Sequence, residues 1–536
     1  MLDIEKQTMD KVTWRLVPFL MFCYFIAYLD RVNIGFAGAS MSKDLGLTAA
    51  AFGGAAGIFF IAYFFFEVPS NLALDRFGAR LWIARIMLTW GIITGAQAFV
   101  QGELSLNVVR LLLGVAEAGF FPGIIFFLTL WFPSRYRARI VGLFMFAIPI
   151  STVIGAPISG FILNLEGFQG LHGWQWMFII EALPALVMSI VVYFYLTDRP
   201  KDALWLAPAE RQWLQDRLDA ERATRERHDT SAATGGNAEV GRVLARIGWT
   251  AIALAFFWWL IFYLHLNQSM GSHDFPPLQC LFADFGSCGL ISGLANATGF
   301  WAYSPLVLWL GVLLCVAGYI VAAIPRELFG AHGSWFRSML DPRVIALGFV
   351  YMGCNIPQYG LSFFLPQIVK AFGGLNNVEI GVITALPYAV GAVGMIFWSR
   401  HSDKTGERKW HAVIPLGIIV VGLSLAAVMP DPTLKMACLC VAGFGFFAVL
   451  PVFWTLPTTF LSGAGAAAGI AAVNSIGNLG GFFGPKVFGW LKDTTGADYA
   501  SLMFLAACAV IGAVIVLVLG HDPALERPAS LAKTAA

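Results

Sequence analysis

The sequence predicts an all-α polytopic membrane protein: two pseudo-symmetric six-helix bundles with two further transmembrane helices between them, about 14 spans in all. Three observations carry this. Of 536 residues, 58% are hydrophobic and only 12% are Asp, Glu, Lys or Arg, where a soluble domain carries about 25%. Apolar runs long enough to cross a bilayer recur along the whole chain, and each must satisfy its backbone internally, as a helix. Several markers also recur at one fixed offset. This composition excludes soluble enzymes, nucleic-acid binders and disordered chains. A net charge of +2 suggests no polyanionic partner.

Spans are expected near 15–37, 50–73, 81–101, 105–131, 140–162, 174–196, 248–266, 305–325, 343–369, 379–399, 412–430, 434–461, 467–490 and 500–520. The basic residues orient them. With the N-terminus inside, the cytoplasmic segments collect 27 of the 34 Lys and Arg and the opposite side only four: Lys43, Lys370, Lys435 and Lys492. That split predicts a plasma-membrane protein with both termini cytoplasmic, and the bacterial inner membrane as its place. The polar start, Met1 to Asp10, is not a cleavable signal. No G-x-x-x-x-G-K-[ST] run occurs, so ATP is not the expected energy source. No His/Cys/Asp cluster has metal-ligand spacing, and no nucleophile–base set suggests an enzyme. No cofactor is expected.

Asp75-Arg76-Phe77-Gly78-Ala79-Arg80 is echoed by Asp403-Lys404-Thr405-Gly406-Glu407-Arg408, at an offset of 328. Gly46 and Gly374, and Pro157 and Pro485, stand at the same offset. The chain therefore reads as duplicated. The expected domains are an N-terminal bundle over 1–197, a cytoplasmic linker over 198–246, an insert over 247–340, a C-terminal bundle over 341–521 and a tail over 522–536. The insert has two spans and an outside loop holding Cys280 and Cys288. These could form a disulfide on the oxidising side or remain two thiols. The insert could contact lipid or another protein; the chain is otherwise expected to be monomeric.

Charges inside apolar spans are costly and persist when paired, wetted or used. Asp30 and Arg31 stand about 22 Å past Arg15 at about 1.5 Å per residue. Arg110 and Glu117 are two helical turns apart on one face. A guanidinium is a fixed cation whose fork matches a carboxylate, so Arg31 and Arg110 are candidates to hold an anion. Asp30 and Glu117 can gain and lose protons. The bland alternative is two structural ion pairs, Asp30 with Arg31 and Arg110 with Glu117. Tyr28, Tyr63, Gln358, Trp454 and Asn474 are further candidates for the cavity wall, alongside Asn355, Tyr359 and Asn478. Glu67 and Glu181 read as gating or capping partners. Lys486 reads as reaching the outer interface, or as a third cation.

The Asp-Arg-x-Gly-x-Arg loop and the duplication resemble the major facilitator superfamily. Tyr28-Leu29-Asp30-Arg31-Val32-Asn33, the stretch Arg110 to Gly123 with Gly114, Glu117, Ala118, Gly119 and Pro122, and Tyr359-Gly360-Leu361-Ser362 with Pro366-Gln367 resemble its anion:cation symporter family. That resemblance covers roughly 12–200 and 340–520, and not the insert. It implies proton-coupled uptake of a small organic anion, such as a sugar acid, tartrate or an aromatic carboxylate, by alternating access. It favours Tyr28, Tyr63, Trp454 and Asn474 as solute contacts. The proton gradient would supply the energy, and the partners would be the anion, the proton and the bilayer. Asp75, Arg76, Gly78 and Arg80, with Asp403, Lys404, Gly406 and Arg408, would act as gates. A proton-independent exchanger or facilitator is the alternative within transport; a nutrient sensor or assembly subunit using the insert is the alternative outside it.

Overall fold

A computed structural model describes residues 2–232, 339, 341–457 and 463–519. The chain divides into two units, and the first comprises Met1–Glu226, Arg343–Ser462 and Ile470–Ala536. The expected spans 248–266 and 305–325, Cys280 and Cys288, and the tail over 522–536 lie outside the described residues.

The first half is built from α1 (Leu2–Leu45), α2 (Ala49–Phe77), α3 (Ala79–Ala96), α4 (Glu103–Glu117), α5 (Phe120–Trp131), α6 (Ser134–Met145), α7 (Ala147–Ile162) and α8 (Gly173–Tyr195). A polar helix, α9 (Pro208–Ala232), follows. The second half comprises α10 (Pro342–Lys370), α11 (Asn377–Thr405), α12 (Lys409–Val428), α13 (Pro432–Phe453), α14 (Gly463–Asn478), α15 (Gly480–Thr495) and α16 (Tyr499–Val518). Ten helical stretches among the described residues are long and apolar enough to cross a membrane. Helix α3 and the α14–α15 pair bring the count to the twelve spans expected outside the insert.

Local chemistry sets the helix ends. Thr48 caps α2 by accepting from the Ala51 amide (3.1 Å). Asn376 and Glu379 form a reciprocal box at the start of α11, at 2.9 and 2.8 Å. Asp431 caps α13, with Pro432 in its first turn.

Three expected spans prove to be broken. The fourth divides into α4 and α5 where Gly119 takes a φ of +85°, a conformation that costs glycine nothing. The fifth divides at Phe146 and the segment 467–490 at Leu479.

The duplication is visible in backbone geometry. Gly46 and Gly374 have φ of +64° and +69°, and Gly78 and Gly406 +90° and +69°. Pro157 lies inside α7 and Pro485 inside α15.

Two seams join the halves. Along one, α2 packs on α15; along the other, α7 packs on α11. Small residues bring these backbones together: a Cβ at Gly53 or Gly489 would run into the carbonyl of Pro485 or Ala49, and one at Gly160 or Gly381 into that of Asn377 or Ala156. At the end poor in Lys and Arg, Asp493 of α15 accepts from the amides of Ala49 and Ala50 at 2.9 and 2.7 Å. Asn377 donates to Asn164 there (3.0 Å). Lys486 donates to the Ala50 carbonyl at 3.3 Å, so its ammonium is used in the seam. The structure is thus closed across the charge-poor end.

Candidate solute-binding site

Between the seams, partway along α1 and α10, polar side chains of both halves surround a cleft. Its wall includes Tyr28, Arg31, Tyr63, Asn355, Gln358, Tyr359, Asn474 and Asn478, with Tyr24, Phe121 and Tyr351 among the aromatic residues. The cavity is small, about 30 Å³, far below the 300–1,000 Å³ usual for small-molecule sites, so the side chains are drawn together in this structure.

Arg31 is the cation of this wall. Its Nη2 forms an ion pair with Glu117 of α4, and its Nη1 donates to the Tyr359 hydroxyl at 3.4 Å. Its guanidinium lies 5.5–5.8 Å from the ring centres of Phe59, Tyr63 and Tyr28, within cation–π range. Arg31 Nε is buried without a partner. Across the interface, Gln358 Nε2 donates to the Tyr28 hydroxyl at 3.2 Å. Behind Gln358, Tyr388 donates to Ser362 and Ser362 to the Gln358 carbonyl, both at 2.7 Å.

The other charges take different places. Asp30 is not paired with Arg31: its Oδ2 accepts from Trp90 Nε1 at 2.6 Å and its Oδ1 has no partner. The expected pairing of Arg110 with Glu117 is replaced by Arg31 with Glu117. The physical reason is reach: both lie on the continuous α4, but about 10.5 Å apart along its axis at about 1.5 Å per residue, and each has a nearer partner on another helix. Arg110 is fully buried and outside the cleft wall; it donates to the carbonyls of Ala55 and Ala56 at 3.3 and 2.9 Å. It thereby ties α4 to α2. Glu181 accepts from Ser159 (2.6 Å). Glu67 bridges the halves, accepting from Asn474 Nδ2 at 2.6 Å and Ser475 Oγ at 3.0 Å.

Five of the seven expected solute contacts, Tyr28, Arg31, Tyr63, Gln358 and Asn474, therefore meet at the cleft. Trp454 does not: it packs edge-on against Tyr351, 5.0 Å between ring centres, behind the wall. Tyr24, Phe121 and Tyr351 were not read from the sequence. The spacing of Tyr24 and Tyr28, one turn apart, was the available signal.

The two repeated loops lie at the basic end. Asp198 accepts from the Arg80 amide (2.8 Å) and stands against Gly78, while the Arg80 guanidinium covers Tyr193. Asp75 and Arg76 are exposed. In the second half Arg408 pairs with Asp403 at 2.8 Å and donates to Ser402, Gly406 ends α11, and Lys404 is exposed.

Two duplicated helical halves that close on a polar cleft with one buried, neutralised cation define a membrane transporter. The profile of the Major Facilitator Superfamily matches residues 20–357, 299–485 and 344–534. The chain is 43% identical over 520 residues to a protein of Agrobacterium vitis named "Putative tartrate transporter", covering 97% of this chain and 93% of that one. It is 33% identical to the quinolone resistance transporter of Acinetobacter baumannii, over 96% of each chain. The inner membrane transport protein RhmT of Escherichia coli is also 33% identical, over 94% of this chain and 93% of its own. The fold matches the inward-facing, unoccupied structure of a bacterial homolog of the human lysosomal transporter Spinster, at TM-score 0.60 and 14% identity, over 94% of this chain and 97% of that one. The chain belongs to the major facilitator superfamily, and it is a multi-pass membrane transporter rather than an enzyme.

Proposed function

We propose that the protein takes up a small organic anion, a carboxylate of the tartrate or sugar-acid kind, together with protons. One observation carries this reading: the cation at the cleft, Arg31, is held by a group that can accept a proton, Glu117. A guanidinium stays charged, whereas a carboxyl exchanges its proton. While Glu117 is ionised it occupies Arg31. When Glu117 is protonated, the ion pair is lost and the Arg31 fork is available to a solute carboxylate. Anion binding and proton binding therefore favour each other, a reciprocal coupling between two ligands. The relatives named for tartrate transport support the anion, and Tyr28, Tyr63, Gln358 and Asn474 supply its neutral hydrogen bonds. Asp30, buried with one oxygen unpartnered, is the second proton carrier in this reading. The repeated loops at the basic end are its gates, and that end faces the cytoplasm of a bacterial inner membrane. The proton gradient provides the energy, and the protein works as a monomer.

Uptake into proteoliposomes containing a pH dye tests this. Entry of tartrate or a hexonate should acidify the lumen, and E117Q should abolish acidification while retaining exchange of labelled for unlabelled anion. Anion entry at unchanged lumen pH, with the membrane voltage clamped at zero, would show a proton-independent exchanger or facilitator instead.

A further inference from the structure

Glu67 is a buried acid without a role in the coupling above. It is 0% exposed, and among the described residues it forms no salt bridge. Both of its oxygens take hydrogen bonds from the opposite half, from Asn474 and Ser475. A carboxylate only accepts. Asn474 must therefore turn its amide NH2 toward Glu67, and its carbonyl oxygen is the group left to offer the cleft it lines. The 3.0 Å bond from Ser475 fixes the second oxygen and so the plane of the carboxylate. Gln358 has the same polarity, because its Nε2 donates to Tyr28 and its Oε1 is left as an acceptor. Beside the cation of Arg31, Asn474 and Gln358 thus present acceptors, which pair with hydroxyl donors.

We propose that Glu67 is a specificity-determining positioning residue: by locking the Asn474 amide it selects a carboxylate that also bears a hydroxyl over the analogue without one. This rests on the organic-anion reading of the Arg31 site. A hydroxylated acid satisfies the fixed carbonyl, whereas a deoxy acid leaves it buried and unpaired, and sites built to bond a hydroxyl reject analogues that lack it.

The test is binding to the purified full-length protein, by titration calorimetry, of four matched pairs: tartrate and succinate, gluconate and hexanoate, galactarate and adipate, 4-hydroxybenzoate and benzoate. The wild type should bind the hydroxylated member of at least one pair tenfold or more tightly. In E67Q the side chain can donate or accept, Asn474 is free to flip, and the preference should fall to within threefold. E67D should recover part of it. N474A should lose the same preference, and E67Q/N474A should lose no more, as expected of two residues acting as one unit. N474A also decides the matter if E67Q does not fold. A preference kept at its wild-type value in either single variant, or no preference in the wild type, overturns the proposal while leaving the anion reading standing. Failure of the wild type to bind all eight acids overturns both.

Discussion

Substituting Gly57 by Ala should move the transporter out of the state closed at its charge-poor end. Gly57 lies on α2 against α15, and a Cβ built there stands 2.9 Å from both the Cα and the carbonyl oxygen of Phe482. Both are backbone atoms, so no side chain can swing aside. Carbon atoms in contact settle at about 3.5–4.0 Å, so the seam would have to widen by roughly 0.6–1.1 Å. Overpacking of this kind costs about 1–3 kcal/mol, and about 1.4 kcal/mol is a tenfold change in an equilibrium. The closed population should therefore fall about 5- to 150-fold relative to a state in which the seam has parted. That parted state suffers no strain, and Ala favours a helix over Gly by about 1 kcal/mol, so overall folding should survive. Spin labels at K43C and K370C, on exposed positions at this end of α1 and α10, would report the change by double electron–electron resonance. A longer-distance population should appear in the Gly57→Ala protein. An unchanged distance distribution in a folded variant would refute the view that close backbone contact at this seam sets the conformational balance.

Other outcomes follow from the same contacts. R31K should cut carboxylate binding at least tenfold, because an ammonium lacks the planar fork; near-normal calorimetric affinity would remove Arg31 from the site. R110K should lower stability by about 1–3 kcal/mol through loss of charge-assisted bonds to the α2 carbonyls, read as a denaturation midpoint; loss of affinity with intact stability would instead argue for solute contact. D198A should loosen the start of α3, where Asp198 accepts from the Arg80 amide, at a cost of about 1 kcal/mol, seen as faster amide exchange at Arg80. Between α7 and α8, bonds from the Gly173 amide and the His172 ring hold Glu166 below its ordinary value, and the Glu166 bond holds His172 above its own. The depressed acid contributes above its unfolded value of 4.5 and the raised imidazole below its unfolded value of 6.5. Protection of the Gly173 amide should thus be greatest between these values, falling as pH drops through the Glu166 pKa or rises through the His172 pKa. The effect is small at so exposed a site, and a flat profile between pH 4 and 8 would refute it.

The spans, the duplication and the charges worth attention were legible because each is a property of composition or spacing. The pairing of those charges was not. An i, i+7 spacing puts Arg110 and Glu117 on one face of the continuous α4, but about 10.5 Å apart along it at about 1.5 Å per residue, and each finds a nearer partner on another helix. The partner of Glu117 then comes from α1, 86 residues away. The Phe-Phe-Pro-Gly run after Gly119 looked like a continuation of the helix because its hydropathy is uniform, and hydropathy does not register φ. Trp454 stands inside the expected span 434–461, and in the structure it follows α13 and packs against Tyr351; whether an aromatic faces a cleft or packs against another ring depends on rotamer and neighbours, which hydropathy does not register.

The duplication explains why the site lies where it does. The offset that relates the loops, 328, also separates Arg31 from Tyr359, and these two residues touch. Gly35 and Phe363 stand at the same offset, and a Cβ at Gly35 would meet the Phe363 carbonyl at 3.1 Å. Residues equivalent in the two halves can meet only near the pseudo-two-fold axis that relates them, so the axis passes between α1 and α10 beside Arg31. Parallel repeats place such an axis along the membrane normal, with the solute site at the repeat interface. On the axis the halves are forced into contact by symmetry, yet they have diverged in chemistry: the residues equivalent to Asp30 and Arg31 are Gln358 and Tyr359. Two cations at equivalent axial positions would repel across this short distance. One cation and one phenol form a hydrogen bond instead. The charge asymmetry is therefore what allows a duplicated frame to close on its own axis.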